Sequence, residues 1–494
     1  MNYISTRNKD IKVSSAYAIA HGISEEGGLF LPESIPILSS GDFKKLCGMT
    51  YPDRAAFVLK KYLTDFSDDE IDYCVKGAYI GTFDNDIPAP LSKLGGGVTM
   101  LELWHGPTCA FKDLALQLLP YLMTTASKKM SDGKKTVILV ATSGDTGKAA
   151  LEGFKDVPDT EIIVFYPSEG VSPMQKLQMA SQKGKNVHVY GIKGNFDDAQ
   201  TGVKTIFTDK TVIEKLNNSN MAFSSANSIN WGRLVPQIVY YISAYCDMLN
   251  DGQDLSDGFN VTVPTGNFGN ILAAYFAKAM GTPIKKLICA SNKNKVLTDF
   301  INTGIYDKNR EFYTTSSPSM DILVSSNLER MIYILSDGDD KYVASLQSSL
   351  KTDGKFEVTN EIKKKIKDIF YGDYCDDSET LDTIFSVFND FGYLCDTHTA
   401  VAINVCEKYK AVSGDNRPML IASTASAYKF AKSVLKSLSD TVPTDEFEAV
   451  EQLNGLTDVQ IPAPLNSLKN ANIRFESVIN RDDLKTAVFE SLGI

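Results

Sequence analysis

KTVILVATSGDTGKAALEGF, residues 135–154, decides the architecture. An apolar, largely β-branched run ends at a Gly-rich turn, Thr142-Ser143-Gly144-Asp145-Thr146-Gly147, and an apolar pattern at helical spacing follows. The same punctuation returns at 260–280 in NVTVPTGNFGNILAAYFAKAM. Further short strand-like runs, TEIIVFYP (160–167), NVHVYGI (186–192), MAFSSA (221–226), KKLICAS (285–291) and PMLIAST (418–424), alternate with helical patterns. This rhythm predicts an α/β fold of parallel sheets covered by helices. In such sheets ligands bind at the C-terminal edge of the strands, where the Gly-rich turns fall.

Each turn can serve as an anion cradle, because backbone N–H groups converge at a helix start and the helix dipole favours negative charge. In Thr142–Gly147 a plain capped turn is an equal reading. A nucleotide P-loop would need Gly at 142 and Ser or Thr at 149, where Thr142 and Ala149 stand. In Pro264-Thr265-Gly266-Asn267-Phe268-Gly269-Asn270, two glycines three apart let the backbone approach a phosphate closely. Two such turns in one domain could hold a ligand with both a phosphate and a carboxylate.

Two further stretches carry reactive groups. In His105-Gly106-Pro107-Thr108-Cys109-Ala110-Phe111-Lys112-Asp113, a lysine sits among apolar residues ahead of the helical pattern LALQLLPYLM. Desolvation there would lower its pKa and make the amine nucleophilic enough for a Schiff base. In Ser224-Ser225-Ala226-Asn227-Ser228-Ile229-Asn230-Trp231-Gly232-Arg233, hydroxyls and amides surround one of only eight arginines, against 42 lysines. A guanidinium fork matches a phosphate dianion.

Outward from these motifs, 494 residues allow about three structural units. The hydrophobic share of 43% and charged share of 22% are those of a globular chain rather than a disordered one. A net charge of −11 argues against a general nucleic-acid binder, but not against an anionic small substrate met by local donors. No apolar run reaches membrane-spanning length, and the N-terminus shows no signal-peptide pattern. The eight cysteines and four histidines lack metal-ligand spacing, so no metal is expected. The expectation is a cytoplasmic protein with reduced thiols.

HGPTCAFKD around Lys112, SGDTG at 143–147, SANSINWGR at 225–233 and PTGNFGN at 264–270, with EEGGLFLPE near the N-terminus and STASAYKF at 423–430, together resemble the threonine synthases. These are fold type II, tryptophan-synthase-β-like pyridoxal-phosphate enzymes, and the likeness is to their longer, N-terminally extended branch. It implies two parallel-sheet α/β lobes plus an N-terminal mainly helical unit. We expect the helical unit at 1–97, a large cofactor-binding lobe at 98–130 and 221–494, and a smaller, mobile lobe at 131–220. A Lys- and Asp-rich stretch, 323–396, is expected as a peripheral helical insertion.

The resemblance also implies roles. Lys112 would carry pyridoxal 5'-phosphate as a Schiff base, and Gly266, Asn267, Phe268, Gly269 and Asn270 would hold its phosphate. Thr424 would meet the ring nitrogen, with Ser423 the near alternative. Thr142, Ser143, Gly144, Asp145 and Thr146 would grip the substrate carboxylate, and Asn227, Ser228 and Arg233 its phosphate. An acidic Asp145 would repel a carboxylate unless it faced the amino group or capped the helix, and the cap is favoured. His105 is expected as a structural hydrogen-bonder more than a proton carrier. The implied reaction is that of a lyase in threonine biosynthesis: O-phospho-L-homoserine and water give L-threonine and phosphate. A serine or threonine dehydratase, or a catalytically silent homologue, are the rivals. Monomer and homodimer stay open.

Overall fold

The computed structural model describes all residues except 85, 86, 131, 132, 143 and 170, and the side chains of 196 and 197. Two parallel sheets organise the chain. The smaller has five strands in the order Val478–Asn480, Val187–Lys193, Thr160–Pro167, Lys135–Ala141 and Met221–Ser224, all neighbours parallel. The larger has six: Phe370–Tyr374, Ile284–Ser291, Phe259–Pro264, Met419–Ser423, Val98–Glu102 and Leu91–Gly95. Its last strand alone runs antiparallel, to Val98–Glu102.

Central strands are buried along their length because helices cover both faces, which is why they read as continuous apolar runs rather than alternating ones. Phe259–Pro264 is buried throughout, and so is Thr136–Val140. The 20-residue helix Trp231–Asn250 is apolar nearly all round and buried accordingly. It leads directly from the Asn227–Asn230 turn, so a functional loop is seated on the most deeply packed helix.

The N-terminal unit has helices Ser15–His21, Ser40–Cys47, Tyr51–Tyr62 and Asp68–Tyr79, as expected, but begins with a three-stranded antiparallel sheet of Asn8–Val13, Tyr3–Ser5 and Phe30–Pro32. Two of those strands have only three residues, and the third, Asn8–Val13, is mostly polar, so no strand pattern registers in the sequence. Trp231 anchors the unit: it is fully buried, with its ring edge-on to Tyr3 at 5.5 Å, Tyr62 at 5.6 Å and Phe276 at 5.4 Å.

Three expected boundaries need correction. Met221–Ser224 pairs with Lys135–Ala141, so the smaller sheet extends past residue 220. Val478–Asn480 pairs with Val187–Lys193, and Leu484, Ala487 and Val488 pack on Val137, Leu139 and Ile163; the chain end therefore joins the smaller lobe, not the larger. The 323–396 stretch does carry helices, but Phe370–Tyr374 is an edge strand of the larger sheet. Among the described residues no helix is long and apolar enough to cross a membrane.

Candidate active site

The site forms where C-terminal strand ends of the two sheets face each other. The loop after Val98–Glu102 runs beside the loop after Met419–Ser423: Leu103 N donates to Ser423 O (2.9 Å), Phe111 N to Thr424 O (2.8 Å) and Ser426 N to Cys109 O (3.1 Å). This backbone pairing sets Lys112 next to Thr424. Helix Asp145–Phe154 arrives from the smaller sheet and brings Asp145 to the same place. Lys112 Nζ lies 3.6 Å from Asp145 Oδ2 and 4.7 Å from the centre of the Phe111 ring.

Burial of Lys112 lowers its pKa; Asp145 opposes that, while Lys429 and Arg233 reinforce it. The expected desolvated lysine is therefore present. Burial alone would raise the Asp145 carboxyl, but Lys429 and Lys112 outweigh it and hold the group well below the usual carboxylate range. Lys429 also lowers the neighbouring Asp113, but burial outweighs it there. Burial pushes it up to about 6, although Thr108 donates to it through N (2.8 Å) and Oγ1 (2.7 Å).

Asp145 does not cap its helix. Gly144 holds the N-cap position with no side-chain cap bond, and the Asp145 carboxylate turns inward. There it meets Lys429 Nζ (2.8 Å), Gln175 Nε2 (3.0 Å) and Ser319 Oγ (3.2 Å). The favoured cap reading fails because a buried carboxylate gains more from two ammonium groups than from backbone N–H groups. Thr142 supplies the turn's internal bonds instead: its Oγ1 accepts from Gly144 N (3.0 Å) and Gly147 N (2.9 Å), so this hydroxyl is committed within the turn. Gly144 has φ +138°, and a Cβ there would come within 2.4 Å of Gln175. Thr146 is half-buried, and Ser143 lies outside the described residues.

In the second turn, Phe268 takes the left-handed conformation (φ +61°) and starts helix Gly269–Ala279. Its ring packs inward on Phe370, so Phe268 offers only backbone to a ligand. Asn270 Oδ1 accepts from the Tyr240 (2.7 Å) and Tyr241 (2.5 Å) hydroxyls. Asn267 is exposed, and a Cβ on Gly266 would meet Ser319 O at 2.9 Å. Asn227 and Ser228 stand half-buried on the loop before Trp231. Arg233 is buried, with Nη1 donating to Ala226 O at 2.6 Å and no carboxylate partner among the described residues, and burial lowers its guanidinium to about 10.

Three polar groups are left over. Arg233 Nε and Asn270 Nδ2 are buried without a hydrogen-bond partner, and the Thr424 hydroxyl makes no hydrogen bond among the described residues. Unsatisfied donors in a buried setting are what an anionic ligand would complete. Ser423, by contrast, has its Oγ engaged by Trp104 Nε1 (3.2 Å), Tyr393 OH (3.2 Å) and Thr399 Oγ1 (3.3 Å). His105 is held against Glu102 Oε2 (2.8 Å) and stacked on Trp104, in keeping with a structural part.

Several contributors carry little local signal. Lys429 is fully buried. His398 accepts from Ser319 N (3.1 Å) while its Nδ1 meets Asp396 (2.6 Å), fixing the segment that reaches Asp145. Asn327 and Arg330, inside the stretch expected at the periphery, bridge the two loops. The Asp396-Thr397-His398-Thr399 pattern of a helix cap was the readable hint. The others depend on long-range contacts.

The comparisons follow this geometry. Residues 2–79 match the family "Threonine synthase N terminus", 86–423 "Pyridoxal-phosphate dependent enzyme" and 399–487 "Threonine synthase, C-terminal". Threonine synthase of Pseudomonas aeruginosa is 36% identical over 441 residues, covering 88% of this chain and 90% of that one. The chain belongs to the threonine synthase family. Solved threonine synthases superpose closely: the yeast enzyme at TM-score 0.89 and 33% identity over 100% of this chain and 99% of that one. The pyridoxal-phosphate-bound enzyme from Brucella melitensis gives 0.87 and 35% over 99% of each. Human threonine synthase-like 1 is 40% identical over 455 residues, 88% of this chain; the chain spans 60% of that relative's length. Membership of this pyridoxal-phosphate-dependent family accords with a site that has a lysine and surplus anion donors.

Proposed function

We propose that the chain catalyses conversion of O-phospho-L-homoserine and water to L-threonine and phosphate, using pyridoxal 5'-phosphate. The observation that carries this is the buried Lys112 amine, its pKa lowered by burial, together with three polar groups that have no partner among the described residues, Arg233 Nε, Asn270 Nδ2 and the Thr424 hydroxyl. Lys112 would bind the cofactor as a Schiff base. Gly266, Asn267, Phe268, Gly269 and Asn270 would hold its phosphate at the N-terminus of an 11-residue helix. The hydroxyl of Thr424, free where Ser423 is engaged, would meet the ring nitrogen. When bound, the cofactor supplies an electron sink for charge left at Cα.

The rest of the chemistry falls to the chain. Lys112 Nζ, released when the substrate's amino group takes its place on the cofactor and disfavoured as an ammonium by burial, would take the Cα proton and, after passing it on, a second proton from Cβ. Phosphate departs from Cγ toward Arg233, Asn227 and Ser228, where desolvation strengthens each contact. The protonated Lys112 would return a proton to Cγ, water would add its hydroxyl at Cβ and give up a proton, and a proton returned to Cα would complete L-threonine. The substrate carboxylate is assigned to the backbone of Gly144 and Thr146 at the start of helix Asp145–Phe154. Asp145 is assigned to the buried lysines beside it rather than to that carboxylate.

The enclosed cleft between two sheets would keep water out until phosphate has gone. We place the two lobes and the N-terminal unit as the working domains, and the protein in the cytoplasm. The test is incubation of purified protein with O-phospho-L-homoserine, following phosphate and threonine together. Equimolar release of both is expected. Robust ammonia release from threonine without phosphate release from phosphohomoserine would mean a dehydratase and would sink the proposal; so would undiminished turnover in Lys112→Ala.

A further inference from the structure

Lys429 has no part in the reaction just described, yet it is fully buried at the site. It lies on the short turn Ala427–Phe430 of the larger lobe. Its Nζ donates to Thr108 O at 2.8 Å and stands 2.8 Å from Asp145 Oδ1. The other oxygen of that carboxylate faces Lys112 Nζ, at 3.6 Å. One aspartate from the smaller lobe therefore stands between two lysines of the larger.

The two contacts are unequal. Lys429 is closer, and both its partners are pure acceptors, an arrangement suited to an ammonium. Lys112 is farther away and rests against the Phe111 ring. Two ammonium groups sharing one carboxylate in a desolvated space leave an uncompensated charge, which burial opposes. By distance and by its pure-acceptor surroundings, Lys429 is the nearer counter-ion of Asp145. The remaining groups facing the cluster do not reverse this. Gln175 and Ser319 donate neutral hydrogen bonds to Asp145, and Arg233 disfavours charge on Lys112. Asp113, Lys148, Glu152 and Asp84 are the other charged groups around the cluster, acting on the neighbouring Cys109 and Asp113.

We propose that Lys429 is a positioning residue that neutralises Asp145 across the lobe boundary, so that Lys112 is not captured as that carboxylate's counter-ion. The inference rests on the reading of Lys112 as the cofactor-bearing lysine. It concerns a residue that acts through Asp145 and touches neither substrate nor cofactor.

The test is a pH titration of the visible absorbance of the lysine–cofactor linkage in the holoenzyme. Lys429→Met should raise the protonation midpoint by about one pH unit or more, since Asp145 then turns its whole charge on the linkage. Lys429→Met/Asp145→Asn should bring it back toward wild type. An unchanged midpoint in folded Lys429→Met, or an equal shift in the double variant, overturns the proposal. Should Lys429→Met fail to fold, Asp145→Asn alone is compared with the double variant. The single variant is expected about one unit lower, because the Lys429 charge is then unopposed, and identical midpoints overturn the proposal. Borohydride reduction and peptide mapping separate the two readings. Label away from Lys112 defeats the functional assignment, whereas label on Lys112 with an unmoved midpoint defeats only the part given to Lys429.

Discussion

Arg330 Nη1 donates to Asn327 Oδ1 at 2.5 Å, and that bond fixes which way the Asn327 amide faces. Its Nδ2 is thereby turned toward the carbonyl oxygens of Ser228 and Asn267, 3.1 Å from each. Arg330 is fully buried and also donates to Phe30 O (2.9 Å) and Ile229 O (2.5 Å), and burial lowers its guanidinium to about 9. Glu329 beside it pairs through both oxygens with Arg7 (2.9 and 2.7 Å). The N-terminal sheet, the Asn227–Asn230 turn and the Gly266–Asn270 turn are thus joined through four consecutive residues.

Asn327→Asp keeps the size but replaces the amide donor with a carboxylate facing two carbonyls. Each lost or reversed buried hydrogen bond costs about 1–3 kcal/mol. Cofactor affinity, followed by fluorescence titration, should fall by about tenfold or more, with the protein still folded.

Arg233→Met removes a buried cation while preserving bulk. Turnover of the phosphorylated substrate should fall by about 10²–10³ in kcat/KM, as for loss of a strong oxyanion donor. Cofactor should stay bound, as read from its visible absorbance. Loss of cofactor instead would mean that Arg233 serves the cofactor's phosphate.

Thr424→Val and Ser423→Ala separate two adjacent hydroxyls. Among the described residues the Thr424 hydroxyl has no partner, whereas Ser423 Oγ is engaged. The Thr424 variant should therefore displace the cofactor's absorbance spectrum. The Ser423 variant should act mainly on thermal stability, by about 1 kcal/mol for its lost hydrogen bonding.

Glu152 ties helix Asp145–Phe154 to its neighbours, contacting Lys148 Nζ (3.0 Å), Lys155 Nζ (2.8 Å) and Gln182 Nε2 (3.0 Å). Burial would raise its carboxyl, but the two lysines and Gln182 lower it to about 2. A carboxyl lowered in the folded state binds fewer protons there than in the unfolded chain. Its stabilisation is thus present above the ordinary glutamate pKa of about 4.3 and is lost as pH falls toward 2. Glu152→Gln should cost about 2 kcal/mol near pH 7 in denaturant titrations, and the difference from wild type should shrink progressively below about pH 4.

Local signals made much of this molecule legible. The turns at 142–147 and 264–270 stood out because glycine, hydroxyl and strand-to-helix texture are all short-range properties. Lys112 stood out because its neighbours are apolar. Asp145 was misjudged, since its partner Lys429 lies 284 positions away and nothing in SGDTG announces it. Arg330 escaped for the same reason, reaching back 300 residues to Phe30. The strand Phe370–Tyr374 was hidden in a Lys- and Asp-rich stretch because an edge strand needs only part of its surface to be apolar.

The chain end that closes the smaller sheet has a consequence for the order of synthesis. Four of that sheet's strands are complete by Ser224, but its outer strand and one covering helix come from residues 478–492. All of the larger lobe's later strands are made in between. While the polypeptide grows, Val187–Lys193 is therefore a bare edge, and the apolar surface around Val137 and Ile163 lacks its Leu484 and Val488 cover. The cleft's smaller wall becomes finished only when residues 478–492 emerge, so a nascent chain that stops short of them is exposed to mispairing.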